Sequence, residues 1–126
     1  MENKVMGKRN ISFLLSEAPG SLSREVVTVL SGEGILEAGS VLGEVTASGK
    51  FAWSPNAEVT GKEGAETAAA VLLYRVDATS ADAEAVVVDT SCEVKGDELL
   101  YQSSVDDNTK KAAKATQLRG ALIKVR

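Results

Sequence analysis

From Glu25 onward the chain is cut into short β-branched runs by glycine-bearing turns, and this punctuation limits the fold more than any other feature. Residues 25–30 (EVVTVL) are followed by the turn Ser31-Gly32-Glu33-Gly34, and Ile35-Leu36 by Glu37-Ala38-Gly39-Ser40. Residues 41–46 (VLGEVT) run into the hairpin loop Ala47-Ser48-Gly49-Lys50 and then Phe51-Ala52-Trp53-Ser54. None of these runs is long enough for a stable helix, and their composition favours pleated, half-buried backbone. The expectation is a mainly β (α+β) domain of short strands. Gly43, inside a strand, marks a bulge or a close backbone approach.

Residues 55–66 read as a polar loop holding Gly61 and Gly64. Residues 71–77 (VLLYRVD) and 84–89 (EAVVVD) have continuous apolar centres, which predicts strands covered on both faces. Glu93-Val94, a turn at Lys95-Gly96-Asp97 and a short strand over 98–102 come next. The one helical pattern covers 108–118. Asp106 or Asp107 caps its start, Ala112, Ala115 and Leu118 form the inner face, and Lys110 and Lys114 share a solvated face. Gly120 is a helix stop, and residues 122–126 close the chain as a strand.

At 126 residues the chain has room for one domain. Only 4% of it is aromatic, and a core built largely of alanine and valine buries little area per residue, so burial against further copies is a natural supplement. Sixteen of the eighteen acidic residues lie between Glu25 and Thr109, whereas residues 110–126 hold six basic groups and no acid. An acidic body of this kind repels nucleic acid. The single Cys92 excludes an intramolecular disulfide and suits a reducing compartment. The sequence shows no membrane span and no signal-peptide core, so synthesis in a cytosol is expected.

Residues 1–24 differ from the rest: a polar basic stretch, the apolar cluster Ile11-Ser12-Phe13-Leu14-Leu15, then a turn at Pro19-Gly20. Two readings fit, a disordered terminus or a segment that orders against a partner as an added strand. The division is a flexible arm over 1–24 and a β domain over 25–126.

The chemistry of catalysis is missing. With no histidine and one cysteine there is no His-based triad, no thiolate cluster and no ordinary zinc site. Gly32-Glu33-Gly34 lacks the third glycine of a dinucleotide fingerprint. The stretch from Gly43 to Lys50 has the wrong glycine spacing for a phosphate loop, and Phe51 stands where a magnesium-binding hydroxyl belongs. Asp77, Asp82 and Asp89 lack calcium-loop spacing and read as solvated strand ends. Cys92 reads as a small core residue, and Trp53 as a packed or rim aromatic and a candidate interface anchor. No catalytic residue, metal ligand or cofactor-binding residue is expected, and the chain reads as a non-enzyme.

Several segments taken in order resemble the head decoration proteins of tailed bacteriophages, the family of the lambda capsid-stabilising protein. They are residues 22–29 (LSREVVTV), 36–51 (LEAGSVLGEVTASGKF), 69–74 (AAVLLY), 76–79 (VDAT) and 85–88 (AVVV), with the alanine-rich helix and Ile123-Lys124-Val125-Arg126. The glycine-turn stretch 36–51 is the specific part. Ala70 stands where many relatives have glycine, and Arg119-Gly120-Ala121 departs from the usual ending. The resemblance implies a compact β-clip-like domain with an extended N-terminal arm, assembled as a homotrimer on the exterior of an expanded phage head. There it would brace the shell against internal DNA pressure, with the major capsid protein as its partner and no nucleic acid or membrane. The arm residues Ile11, Ser12, Phe13, Leu14, Leu15 and Pro19 would carry capsid binding. The alternative is a small bacterial β-clip or barrel module for a ligand or carbohydrate.

Overall fold

The computed structural model describes residues 11–20 and 22–126. Ten short strands and one helix build it: β1 (Leu14–Glu17), β2 (Arg24–Val29), β3 (Gly34–Leu36), β4 (Val41–Glu44), β5 (Phe51–Trp53), β6 (Ala68–Leu72), β7 (Val76–Ala78), β8 (Ala83–Val88), β9 (Cys92–Val94), α1 (Asn108–Gly120) and β10 (Ile123–Val125). Mainly β with a single C-terminal helix is therefore the architecture. Strands β2, β5, β4, β6 and β8 close into a small barrel, all neighbours antiparallel except the short β2–β5 pairing at Val29 and Phe51. A three-stranded sheet, β1-β9-β10, lies to one side, and β3 pairs with β7 as a ribbon.

The apolar runs in the sequence are explained by two cores that share strands. Side chains alternate across a strand, so in β4 Leu42 enters the barrel interior while Val41 faces a second core outside it. In the same way Ala70 and Leu72 of β6 fill the barrel and Val71 turns outward, and in β8 Val87 points into the barrel and Val88 outward. The outer core is closed by Phe13, Cys92, Val94, Leu118 and Ile123, that is, by the three-stranded sheet and the helix. Both faces of β6 and of the C-terminal end of β8 are thus covered, as their sequences predict, while Glu84 near the start of β8 stays exposed.

Gly43 sits at a register irregularity between β4 and β6. A Cβ there would collide with the Ala65 carbonyl and lie 2.7 Å from the Thr67 oxygen, so the close approach expected from the sequence is real. The helix cap is Asp107, whose carboxylate accepts the Lys110 N–H at 2.8 Å.

Four expectations need correcting. The run 71–77 is two strands, because the chain breaks between Leu72 and Val76 and leaves β6 for the ribbon. Residues 98–102 form no strand of their own: a 3-10 turn covers Gly96–Glu98, and Leu100 contributes an isolated bridge to Ser40. Lys114 is not on a solvated face, since it is buried at 1% exposure, whereas Ala112 is exposed. The stop after the helix is not Gly120, which ends α1, but Leu122, held at φ 64.

Candidate interaction surfaces

The basic stretch 1–10 of the expected arm lies outside the described residues. Packing joins the apolar cluster that follows to the domain. Ile11 and Ser12 are half-buried in a turn, and the Ile11 N–H donates to Leu73 O at 3.1 Å. Phe13 is completely buried in the outer core, and its carbonyl accepts from the Lys95 N–H at 2.7 Å. Leu14 pairs with Val94 and packs inward, while Leu15 is 46% exposed. Pro19 is exposed in the turn that leads to β2. Strand pairing therefore begins at Leu14 rather than near Arg24, on an edge strand whose outward residues are Leu15 and Ser16.

Trp53 lies half-buried on the rim of the barrel, in a cleft of ≈ 230 Å³ with Pro55, Val59, Lys62 and Gln102. Its indole N–H donates to Leu100 O at 3.1 Å, and its backbone N–H to the Glu33 carboxylate at 2.7 Å. The same carboxylate, almost wholly buried, meets Lys62 Nζ at 2.5 Å. The ring is therefore fixed in orientation and half-buried in the cleft.

Beneath this cleft Lys114 reaches from α1 into the loop after β5. Its ammonium donates to Ser54 Oγ at 2.8 Å and to the carbonyls of Pro55 and Glu66, each at 2.5 Å. Three donors find three acceptors, so the buried charge is fully hydrogen-bonded without a carboxylate partner. Burial pulls its pKa below the usual lysine value. The 3.6-residue period identifies a helix face but does not say that a lysine will serve as a buried donor, and no sequence signal announced this role.

Asp77, Asp82 and Asp89 are held in separate local contacts. Asp77 accepts from the Thr79 N–H and hydroxyl, and Asp82 pairs with Lys50 at 2.7 Å and accepts from the Ser31 N–H. Asp89 sits against Glu25 where β8 leaves the barrel. Among the described residues no group of three metal-binding side chains occurs. Cys92 is buried, and desolvation pushes its thiol up to about 11, which keeps it protonated. No helix among the described residues is long and apolar enough to cross a membrane.

The described residues thus form a β-rich protein, a small closed barrel with a flanking sheet and with apolar and aromatic side chains on its outer surface. The family model of the bacteriophage lambda head decoration protein D matches residues 3–123, and the chain belongs to that family. It is accordingly a structural protein of the virion that decorates the capsid. No curated protein is similar enough to the chain to refine this further.

Proposed function

We propose that this protein is a cement. It is made in the host cytoplasm and binds the outer surface of the expanded phage head as homotrimers, where it contacts the major capsid protein and braces the shell against packaged DNA. It does so without catalysis, cofactor, nucleic acid or membrane. The observation that carries this reading is the family match over nearly the whole chain.

The N-terminal stretch fits the part of a shell contact. Phe13 anchors it in the outer core, which leaves Leu15 outward on an edge strand to which an extended segment can add, and Pro19 exposed in the turn that follows. Ile11, Ser12 and Leu14 shape that edge rather than bind directly. Trp53, half-buried and held in one orientation in its cleft, supplies an aromatic contact beside these. Each contact is small, and attachment becomes firm because copies joined in one trimer engage neighbouring shell subunits together.

Mixing the purified protein with expanded heads that lack decoration, then pelleting them, tests the proposal. The protein should pellet with the heads at a saturable ratio and raise the temperature at which they rupture. Protein left in the supernatant at every input would refute it.

A further inference from the structure

The barrel closes between β2 and β5 at one pair of residues, Val29 and Phe51, although β2 meets β8 over its whole length. On the β8 side the Asp89 N–H donates to Ser23 O at 3.0 Å, which makes Ser23 and Asp89 a hydrogen-bonded pair. Such pairs alternate along an antiparallel ladder. Glu25, Val27 and Val29 therefore turn their backbone groups to β8, and Val26 and Thr28 turn theirs to the other side. Leu30, next in the second series, donates its N–H to Phe51 O at 2.8 Å, as this alternation requires. Before Phe51 the β4–β5 loop closes on itself, with the Gly49 N–H donating to Val45 O at 2.8 Å. The N–H groups of Val26 and Thr28 are thus left facing a groove of ≈ 370 Å³, with no strand opposite them among the described residues.

An open edge is a template for an added strand, and the surroundings of this one select its occupant. Glu25, Glu44 and Asp89 line the groove, and no basic side chain does. The acidic body of another copy, with sixteen of the eighteen acids, would be repelled there. Most cations of residues 110–126 are already engaged: Lys110 with Asp106, Lys111 over the Tyr101 ring, Lys114 in its buried site and Arg126 with Glu93. The first ten residues, by contrast, carry Lys4, Lys8 and Arg9 against the single Glu2. They also enter from close by. The Ile11 N–H donates to Leu73 O, the Leu73 N–H donates to Val86 O at 2.9 Å, and Val86 lies opposite Val26. Those three steps and one more into the groove come to about 20 Å at about 4.8 Å per strand, whereas ten extended residues span about 33 Å.

We infer that residues 1–10 of the same chain add as a strand to the open edge of β2, with their basic side chains against Glu25, Glu44 and Asp89. Amide exchange followed by nuclear magnetic resonance on the full chain tests this, and Val27 and Val29, held by β8, serve as the internal standard. In wild type the Val26 and Thr28 amides should be protected alongside the standard. In the full-length variant K4E/K8E/R9E, and in a chain beginning at Ile11, they should exchange at least about tenfold faster while Val27 and Val29 stay unchanged. The charge variant keeps the whole chain and decides alone if the shortened one fails to fold. Val26 and Thr28 amides that exchange freely in wild type would overturn the inference, and so would protection that survives the charge reversal. Isotope-labelled shortened chain, refolded together with an excess of unlabelled full chain, should remain unprotected at Val26 and Thr28. Protection regained there would put the segment of a second copy on the edge and overturn the contact within one chain.

Discussion

Asp89 and Glu25 place two carboxylates side by side where β8 leaves the barrel, and the arrangement sets a pH dependence. Desolvation, then the hydrogen bond and charge of Glu25, push the Asp89 pKa up to about 6. A carboxyl whose folded pKa lies above its unfolded value of about 3.9 stabilises the fold while protonated. That contribution is fully present below the unfolded pKa and is lost as the pH rises through about 6. The protein should therefore be more stable near pH 5 than near pH 7.5, by about 1 kcal/mol after allowing for partial solvation. In Asp89→Asn the hydrogen bond to Glu25 persists without a second charge. Its thermal midpoint should exceed that of wild type at pH 7.5, and the change between pH 5 and 7.5 should largely vanish. A wild-type midpoint that rises steadily over this range would contradict the pairing. Gly43 makes a second prediction at this scale. Alanine there meets two backbone carbonyls that cannot move without disturbing the β4–β6 register, so Gly43→Ala should cost about 1–3 kcal/mol in urea unfolding.

At the scale of elements, β1 and α1 show how far local pattern reaches. The short strands, the paired-face burial of β6 and β8, the Asp107 cap and the close approach at Gly43 are all legible, because each depends on a residue's own conformational preference or on period-two alternation. The break after Leu72 is not, since an unbroken apolar run looks the same whether the chain continues in one sheet or crosses to another. Neither is the fate of Ile11 to Leu15. An apolar cluster after a polar stretch signals burial but not whether the cover is a partner or the chain's own β9. Two substitutions separate these roles. Phe13→Ala removes a completely buried ring and should cost about 3–5 kcal/mol of stability. Leu15→Ser changes an exposed side chain and should leave unfolding within about 0.5 kcal/mol of wild type while weakening capture by heads. Equal loss of stability in both would mean that Leu15 is part of the core. Lys114→Met extends the argument to α1: the carbonyls of Pro55 and Glu66 lose their donor in a buried setting, for about 1–3 kcal/mol. Amide exchange in the loop after β5 should quicken more than in β6 or β8, because the loop is what the lysine holds.

For the whole molecule, decoration is a question of how weak contacts sum. A side chain such as Leu15 contributes about 1.5–3 kcal/mol when buried, before the cost of ordering its neighbours. That is too little to hold one domain on a shell. In the proposed homotrimer several such contacts are presented at once, and the second and third form at the effective concentration set by the first. The consequence is a prediction about affinity rather than stability. Dilution that separates the copies leaves Leu15, Pro19 and Trp53 unchanged, so each separated domain keeps its proposed shell contacts. Three independent copies would lose only a small statistical factor if contacts did not cooperate. Under cooperative attachment the separated domains should bind heads at least a hundredfold more weakly than the assembled protein in a pelleting titration. Joining three domains with short flexible linkers should restore much of that loss at the same dilution. Separated domains that coat heads as tightly as the assembled protein would mean that single domains bind firmly by themselves, and the cement would then act by contact area rather than by valency.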